Sequence, residues 1–270
     1  MRVYTFANQK GGVGKTTTVI NLAAAMADWG RRVLVVDMDP QSNATTSLGL
    51  NPRDLTASVY DVLVGRRQAA EVIISTRWSG LDLLPAVPAL AGATVELNAL
   101  PEAAERIGRL RQVLAGVEKL GYDYWLIDSP PSLGVLTVNA LVAAQGVIIP
   151  VQCEYLALEG LSQLLRTIQL VQRGANPQLT LRGLVLTMYD GRTLLARQVV
   201  EDVQKHFGER VFRAIVPRSV RLSEAPGYGM PGVFHAPRSS GALAYRGVAW
   251  ELLQQDGYRV EWTPPAGEEG

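Results

Sequence analysis

Short, unbroken apolar runs alternate with stretches in which apolar residues recur every three or four positions, and the alternation continues along most of the 270 residues. Residues 2–7 favour β structure, and 32–36 read Arg-Val-Leu-Val-Val, the kind of run that a parallel strand buried on both faces requires. Between them Ile20, Leu22, Ala23, Met26 and Ala27 keep helical spacing over residues 16–29, and Gly30 ends that helix. This is a βαβ unit. Further strands are expected at 81–84, 124–127, 146–151, 181–188 and 211–216. Helices are expected at 58–64, 69–75, 102–120, 137–144, 156–171, 194–207 and 241–255. Residues 217–231 read as a Gly/Pro-rich loop and 263–270 as a disordered tail. With no repeat and no interdomain linker, the pattern predicts an α/β fold. Residues 1–262 should form a single doubly wound, mostly parallel β-sheet flanked by helices.

Composition narrows the function classes. There are 26 Lys plus Arg against 25 Asp plus Glu, a formal net charge of +1, so any affinity for nucleic acid must come from a local patch. Cys153 is the single cysteine; alone it makes no intrachain disulfide and no cysteine-based metal site, and it reads as a small buried apolar residue in a reducing cytosol. The longest apolar region, 138–151, is interrupted by Asn139, Gln145 and Gly146 and is too short for a bilayer span. No secretory leader is expected ahead of the first strand.

The chemistry concentrates at strand ends. After the first strand comes Lys10-Gly11-Gly12-Val13-Gly14-Lys15-Thr16-Thr17, leading into a helix. The general phosphate-loop pattern would place glycine at position 9, where this chain has Gln9, and it adds a second lysine, Lys10. Backbone N–H groups from Gly12 to Thr17 can line one concavity at the helix N-terminus, which favours phosphate oxygens. Lys15 is expected on the β and γ phosphates, and the Thr16 hydroxyl on Mg²⁺. Asp37 and Asp39 follow the second strand, and Asp128 ends the Tyr124 strand. Asp37 and Asp128 are candidate Mg²⁺ ligands, directly or through water, and Asp39 could orient the attacking water. All three aspartates also suit turns or helix caps. His206 and His235 have no metal-ligand spacing and read as structural or surface residues.

Taken together, Lys10–Thr16, Val36-Asp37-Met38-Asp39-Pro40-Gln41 and Ile127-Asp128-Ser129-Pro130-Pro131 resemble the deviant Walker ATPases, specifically the ParA/Soj partitioning branch. The resemblance continues through Thr187-Met188-Tyr189-Asp190 and the segment from Pro217 to Pro226, so it spans nearly the whole chain. It implies an ATP-dependent homodimer with two ATP molecules sandwiched between subunits, where Lys10 reaches the partner's phosphates. It further implies that Asp39 is the hydrolytic residue, that basal turnover is slow, and that the base lies near Met188 and against Pro217. No Asn-Lys-x-Asp element of the guanine-reading type occurs, in agreement with ATP.

Between residues 182 and 224, Arg192, Arg197, Lys205, Arg210, Arg213, Arg218 and Arg221 outnumber Asp190, Glu201, Asp202, Glu209 and Glu224. This reads either as a strip for nonspecific double-stranded DNA or as a solvated mixed-charge face. The resemblance favours DNA, with Arg192, Arg218 and Arg221 as the candidates, a ParB-like centromere-binding protein as the stimulating partner and a cytoplasmic, nucleoid-associated location. A MinD-like membrane role is opposed by the Pro- and Glu-containing end, 262–270; a nitrogenase iron protein would need more cysteines. A scaffold that positions other cargo, or an ATP-using small-molecule enzyme, stays open. No operator-binding arm is expected before the first strand.

Overall fold

A computed structural model describes residues 1–154 and 157–263. The tail expected at 263–270 therefore lies, except for Thr263, outside the described residues, as does Leu156 at the start of one expected helix. One seven-stranded sheet forms from β1 (Arg2–Phe6), β2 (Val33–Asp37), β3 (Ile74–Ser75), β4 (Leu81–Leu84), β5 (Tyr124–Asp128), β6 (Gly146–Gln152) and β7 (Thr180–Thr187). Its order is β3-β4-β2-β5-β1-β6-β7, and only the β3–β4 pairing is antiparallel.

The apolar runs end up central because helices cover both faces. Val33 and Val35 enter one core with Leu22 and Met26 of α1 (Lys15–Asp28); Leu34 and Val36, pointing the other way, enter a second core. That second layer contains α3 (Val59–Leu63), α4 (Ala69–Val72), α5 (Leu90–Ala99), α6 (Ala103–Gly116), α7 (Val135–Ala143), α8 (Ala157–Arg173) and α9 (Leu194–Phe207). The first layer holds α1 with the short α2 (Asn43–Ser47), α10 (Val220–Glu224), α11 (Gly232–His235) and the long α12 (Ser240–Gln255). No helix among the described residues is long and apolar enough to cross a membrane.

Three expectations are corrected. The helix expected over 69–75 stops at Val72, and the β-branched Ile74 instead pairs antiparallel with Leu83. The stretch expected as a strand at 211–216 forms no continuous ladder: it meets β7 through the isolated Leu184–Val211 bridge and through the Phe212 and Val216 N–H groups, which donate to the Leu184 and Leu186 carbonyls at 3.0 and 2.9 Å. The N–H groups of Arg213 and Ala214 donate instead to the Glu251 carboxylate, each at 2.8 Å, so they cannot join a ladder. The loop expected at 217–231 contains α10, capped by the Ser219 hydroxyl accepting from the Leu222 N–H, and then a 3₁₀ turn, Ala225–Tyr228.

Register sets the crevice. Phe6 pairs with Asp128, and Asp128 pairs with Asp37, so β1, β5 and β2 end level with one another. The loops leaving their C-terminal ends open onto the place where ligands of open α/β sheets collect. Next to it, α2 and the turn after α10 meet backbone to backbone: a Cβ on Gly229 would lie 2.7 Å from the Cα of Gly49.

Candidate functional site

The loop over 8–14 and the first turn of α1 are held by hydrogen bonds within the segment and to the neighbouring strands. The Asn8 side chain donates to the Pro150 carbonyl on β6 (2.7 Å) and accepts from the Lys10 N–H (3.0 Å). Thr187 at the end of β7 donates to the Val13 carbonyl (2.9 Å), and the Thr18 hydroxyl donates to the Gly14 carbonyl (2.7 Å). Gly12 and Gly14 take φ of 75° and 83°, left-handed values that a side chain would strain. The N-terminus of α1 has no side-chain cap and no acidic residue in its first turn. Its first N–H groups, which a helix cannot satisfy internally, are thus available to an anion.

Four charged groups converge below the loop. Lys15 is buried, and desolvation lowers its pKa while Asp128 and Asp39 oppose the shift. Asp128 is fully buried; its Oδ2 accepts from the Thr16 hydroxyl at 2.7 Å, and its Oδ1 has no hydrogen-bond partner among the described residues. Burial first, and the neighbouring Asp37 second, push the Asp128 carboxyl well above the usual range. Asp37 is also fully buried, and desolvation raises its pKa to about 6 against the pull of its hydrogen bonds from Thr45 and Asp39. Asp39 is 5% exposed and its Oδ1 accepts from the Gln41 N–H.

This arrangement has too many carboxylates for its cations. An orphaned, desolvated Oδ1 beside a hydroxyl at a helix N-terminus fits a hard divalent cation with phosphate attached. Among the described residues no three His, Cys, Asp or Glu side chains form a ready-made metal cage. That agrees with Mg²⁺, which keeps waters and takes phosphate oxygens in addition to one or two protein groups.

Lys10 stands apart. It is exposed and lies 3.6 Å from Glu154, whose other oxygen is 3.0 Å from Arg218. Met188 closes β7 with a left-handed φ of 52°, and its terminal carbon would lie 4.0 Å from a Cβ on Gly14. Pro217 is brought alongside by the Tyr189 bridge and by the Arg218 N–H donating to the Tyr189 carbonyl (2.9 Å). The structure thus gathers Gly11, Gly12, Val13, Gly14, Lys15, Thr16, Thr17, Asp37, Asp39 and Asp128 around one crevice. Met188 and Pro217 stand at its edge.

The three expected DNA-contacting arginines are not free. Arg192 makes a forked pair with Asp190 (2.9 and 2.8 Å), pulling that carboxyl down to about 2, and Arg221 lies 3.2 Å from Glu224. Arg218 is held by Glu154. Water and salt screen such exposed pairs, so they hold the arginines weakly and phosphate can displace them. Sequence reading missed Asn8, Thr45 and Glu154, and it singled out the stretch beginning at Thr187 without giving Thr187 a role. Of the three, Asn8 lies between the first strand and the glycine loop, both of which it had singled out.

A family model described as an AAA domain matches residues 1–181. The chain is 50% identical over 251 residues to the sporulation initiation inhibitor protein Soj of Bacillus subtilis strain 168, covering 93% of this chain and 98% of that protein. It is 48% identical over 257 residues to the chromosome partitioning protein ParA of Caulobacter vibrioides, covering 95% of each. The chromosome-partitioning ATPase Soj of Thermus thermophilus is 52% identical over 253 residues, covering 94% of this chain and 96% of that protein. Among solved structures, one from Mycobacterium smegmatis described as cobyrinic acid a,c-diamide synthase with bound ATP analogue and magnesium is 42% identical. Its TM-score is 0.83, with 95% and 96% of the two chains covered. The septum site-determining protein MinD of Pyrococcus horikoshii with Mg-ADP gives 0.74 at 25% identity, covering 95% of this chain and 97% of the other.

Proposed function

Because the chain belongs to the ParA/Soj family of chromosome-partitioning ATPases, we propose that it is a nucleotide-gated switch for DNA segregation. The observation that carries the reading is the Oδ1 of Asp128, unpartnered among the described residues, beside Thr16 at the mouth of an uncapped helix that begins at Lys15 and has Lys10 ahead of it. Magnesium ATP, when bound, supplies the transferable γ-phosphoryl group and the positive charge that the carboxylates lack. Lys15 and the N–H groups of Gly12 to Thr17 hold the phosphates, and Thr16 and Asp128 face the metal, with Asp37 behind its waters. Asp39 orients the attacking water, and Met188 and Pro217 flank the base. Lys10, held among the described residues by an exposed ion pair with Glu154, swings to the phosphates of a second copy, so that ATP completes the dimer interface.

In that dimer the arginine surfaces of both subunits act together, and two weak contacts with DNA phosphates become one stronger one. A ParB-like partner on centromeric DNA stimulates otherwise slow hydrolysis, and the protein works in the cytoplasm on the nucleoid. The experiment is retention on nonspecific double-stranded DNA with ATP, with ADP and without nucleotide, alongside sedimentation. Retention and dimerisation should require ATP; equal retention in all three states overturns the switch. Lys10→Ala should still bind ATP but remain monomeric. The small-molecule reading takes support from the description of the Mycobacterium smegmatis structure. Two open cavities of about 690 and 550 Å³, both lined by Met1, Gln145 and Gln178, lie at the opposite end of the strands from the phosphate loop and so are not placed to present a substrate to it.

A further inference from the structure

Asp37 ends β2 with its carboxylate shut away from water, and one residue of α2 determines how that carboxylate is turned. Thr45, itself fully buried, gives Asp37 Oδ2 two hydrogen bonds, from its N–H at 2.9 Å and from its hydroxyl at 2.7 Å. The hydroxyl in turn accepts from the Ala86 N–H at 3.0 Å, beyond the end of β4. With that acceptor position filled from Ala86, the hydroxyl proton is directed at Asp37. A carboxylate oxygen offers about two lone pairs, so Oδ2 is saturated by Thr45 alone. Oδ1 takes one bond, from the Asp39 N–H at 3.1 Å, and keeps one lone pair.

We propose that Thr45 is a positioning residue of the nucleotide site: by saturating Oδ2 and fixing the plane of the Asp37 carboxylate, it aims the remaining lone pair of Oδ1 at the hydration shell of the bound cation. The proposal rests on the reading that Asp37 stands behind the waters of Mg²⁺. It also makes α2 part of the site. Asp39, the left-handed Ser42 (φ 55°) and Thr45 lie on one short connection, so movement of α2 would turn Asp37 and displace Asp39 together.

The test measures binding of a fluorescent ATP analogue by the full chain, first in EDTA and then across a Mg²⁺ titration. Thr45→Val keeps the shape and removes the hydroxyl; Thr45→Ser keeps the hydroxyl. Thr45→Val should leave binding in EDTA unchanged and raise the Mg²⁺ midpoint about tenfold, the lower end of what loss of an outer-shell partner costs. Thr45→Ser should stay within about twofold of the parent. Should the valine variant fail to fold, Thr45→Ala, which leaves room for a water to serve Ala86, is read in the same way. Asp37→Asn separates the two ideas. If it leaves the Mg²⁺ midpoint in place, the metal-facing reading of Asp37 fails. If it moves the midpoint while a folded Thr45→Val does not, Thr45 has no positioning role.

Discussion

A fully buried carboxylate with an empty oxygen is costly, and Asp128 shares its crevice with Asp37 and Asp39 while Lys15 is the buried cation among them. The protein without nucleotide therefore carries a charge imbalance that removing one carboxylate should relieve. Asp37 illustrates the sign. Its folded pKa of about 6 lies above its ordinary value of 3.8, so the folded chain holds a proton that the unfolded chain has lost between those two pH values. Stability attributable to Asp37 consequently falls as pH rises through that window. Asp37→Asn should remove the Asp37 share of the fall in melting temperature between about pH 4 and pH 7 without nucleotide, about 2–4 °C for each kcal/mol, while its NH2, which must face the Asp39 or Thr45 donors, lowers the whole curve. Melting curves at pH 4 and pH 7 check both halves. The same variant should gain less from added Mg-ATP. Asp39→Ala, argued from its place at the crevice, should hold ATP and the dimer but turn over slowly; rapid turnover would remove Asp39 from its role. These residues were legible in the sequence because each aspartate follows an apolar run. Thr45 was not, since nothing in the sequence shows that a turn entered through Ser42 folds back onto β2.

Elements built on period were legible, and elements built on tertiary competition were not. β4 and α9 fall where apolar spacing put them, whereas α2, α10 and α11 are too short to show a period. The broken strand at 211–216 has strand-like residues; Glu251 of α12, 37 and 38 positions away, takes two of its donors, those of Ala214 and Arg213. Gly49, just past α2, and Gly229, just past the turn that follows α10, approach backbone to backbone, so the connection running from Asp39 through α2 abuts the segment that carries Arg221. Gly229→Ala should disturb both: a side chain at φ 59° is strained, and its Cβ would be 2.7 Å from Gly49. The expected outcome is a loss of about 1–3 kcal/mol in stability with weaker ATP-dependent DNA retention, read by denaturant unfolding and a filter assay. Asp190→Asn acts on the neighbouring element in the opposite sense. It frees Arg192 and should tighten DNA binding in ATP, with a steeper dependence on salt.

At the scale of the whole molecule, the end of the sheet away from the crevice is closed by a different polar group. Asp256 follows α12 and accepts from Tyr4 (2.7 Å), Tyr124 (2.9 Å) and Arg182 (3.0 Å), joining β1, β5 and β7. Burial raises Tyr4 and Tyr245 to about 12 and moves Tyr122 and Tyr124 upward as well. Their ionised forms are disfavoured only in the folded chain, so stability should drop as pH climbs above 10. Phenolate absorbance should show a late group of tyrosines that ionise together with unfolding. Cys153, buried after β6 with its thiol pushed up to about 12, stays out of such chemistry near neutrality. A cysteine engineered onto the surface, at Leu170 for example, would therefore be the one thiol that a maleimide dye reaches. The unaltered native cysteine thus makes the chain ready for single-dye labelling, and energy transfer between two labelled copies would report their association in real time.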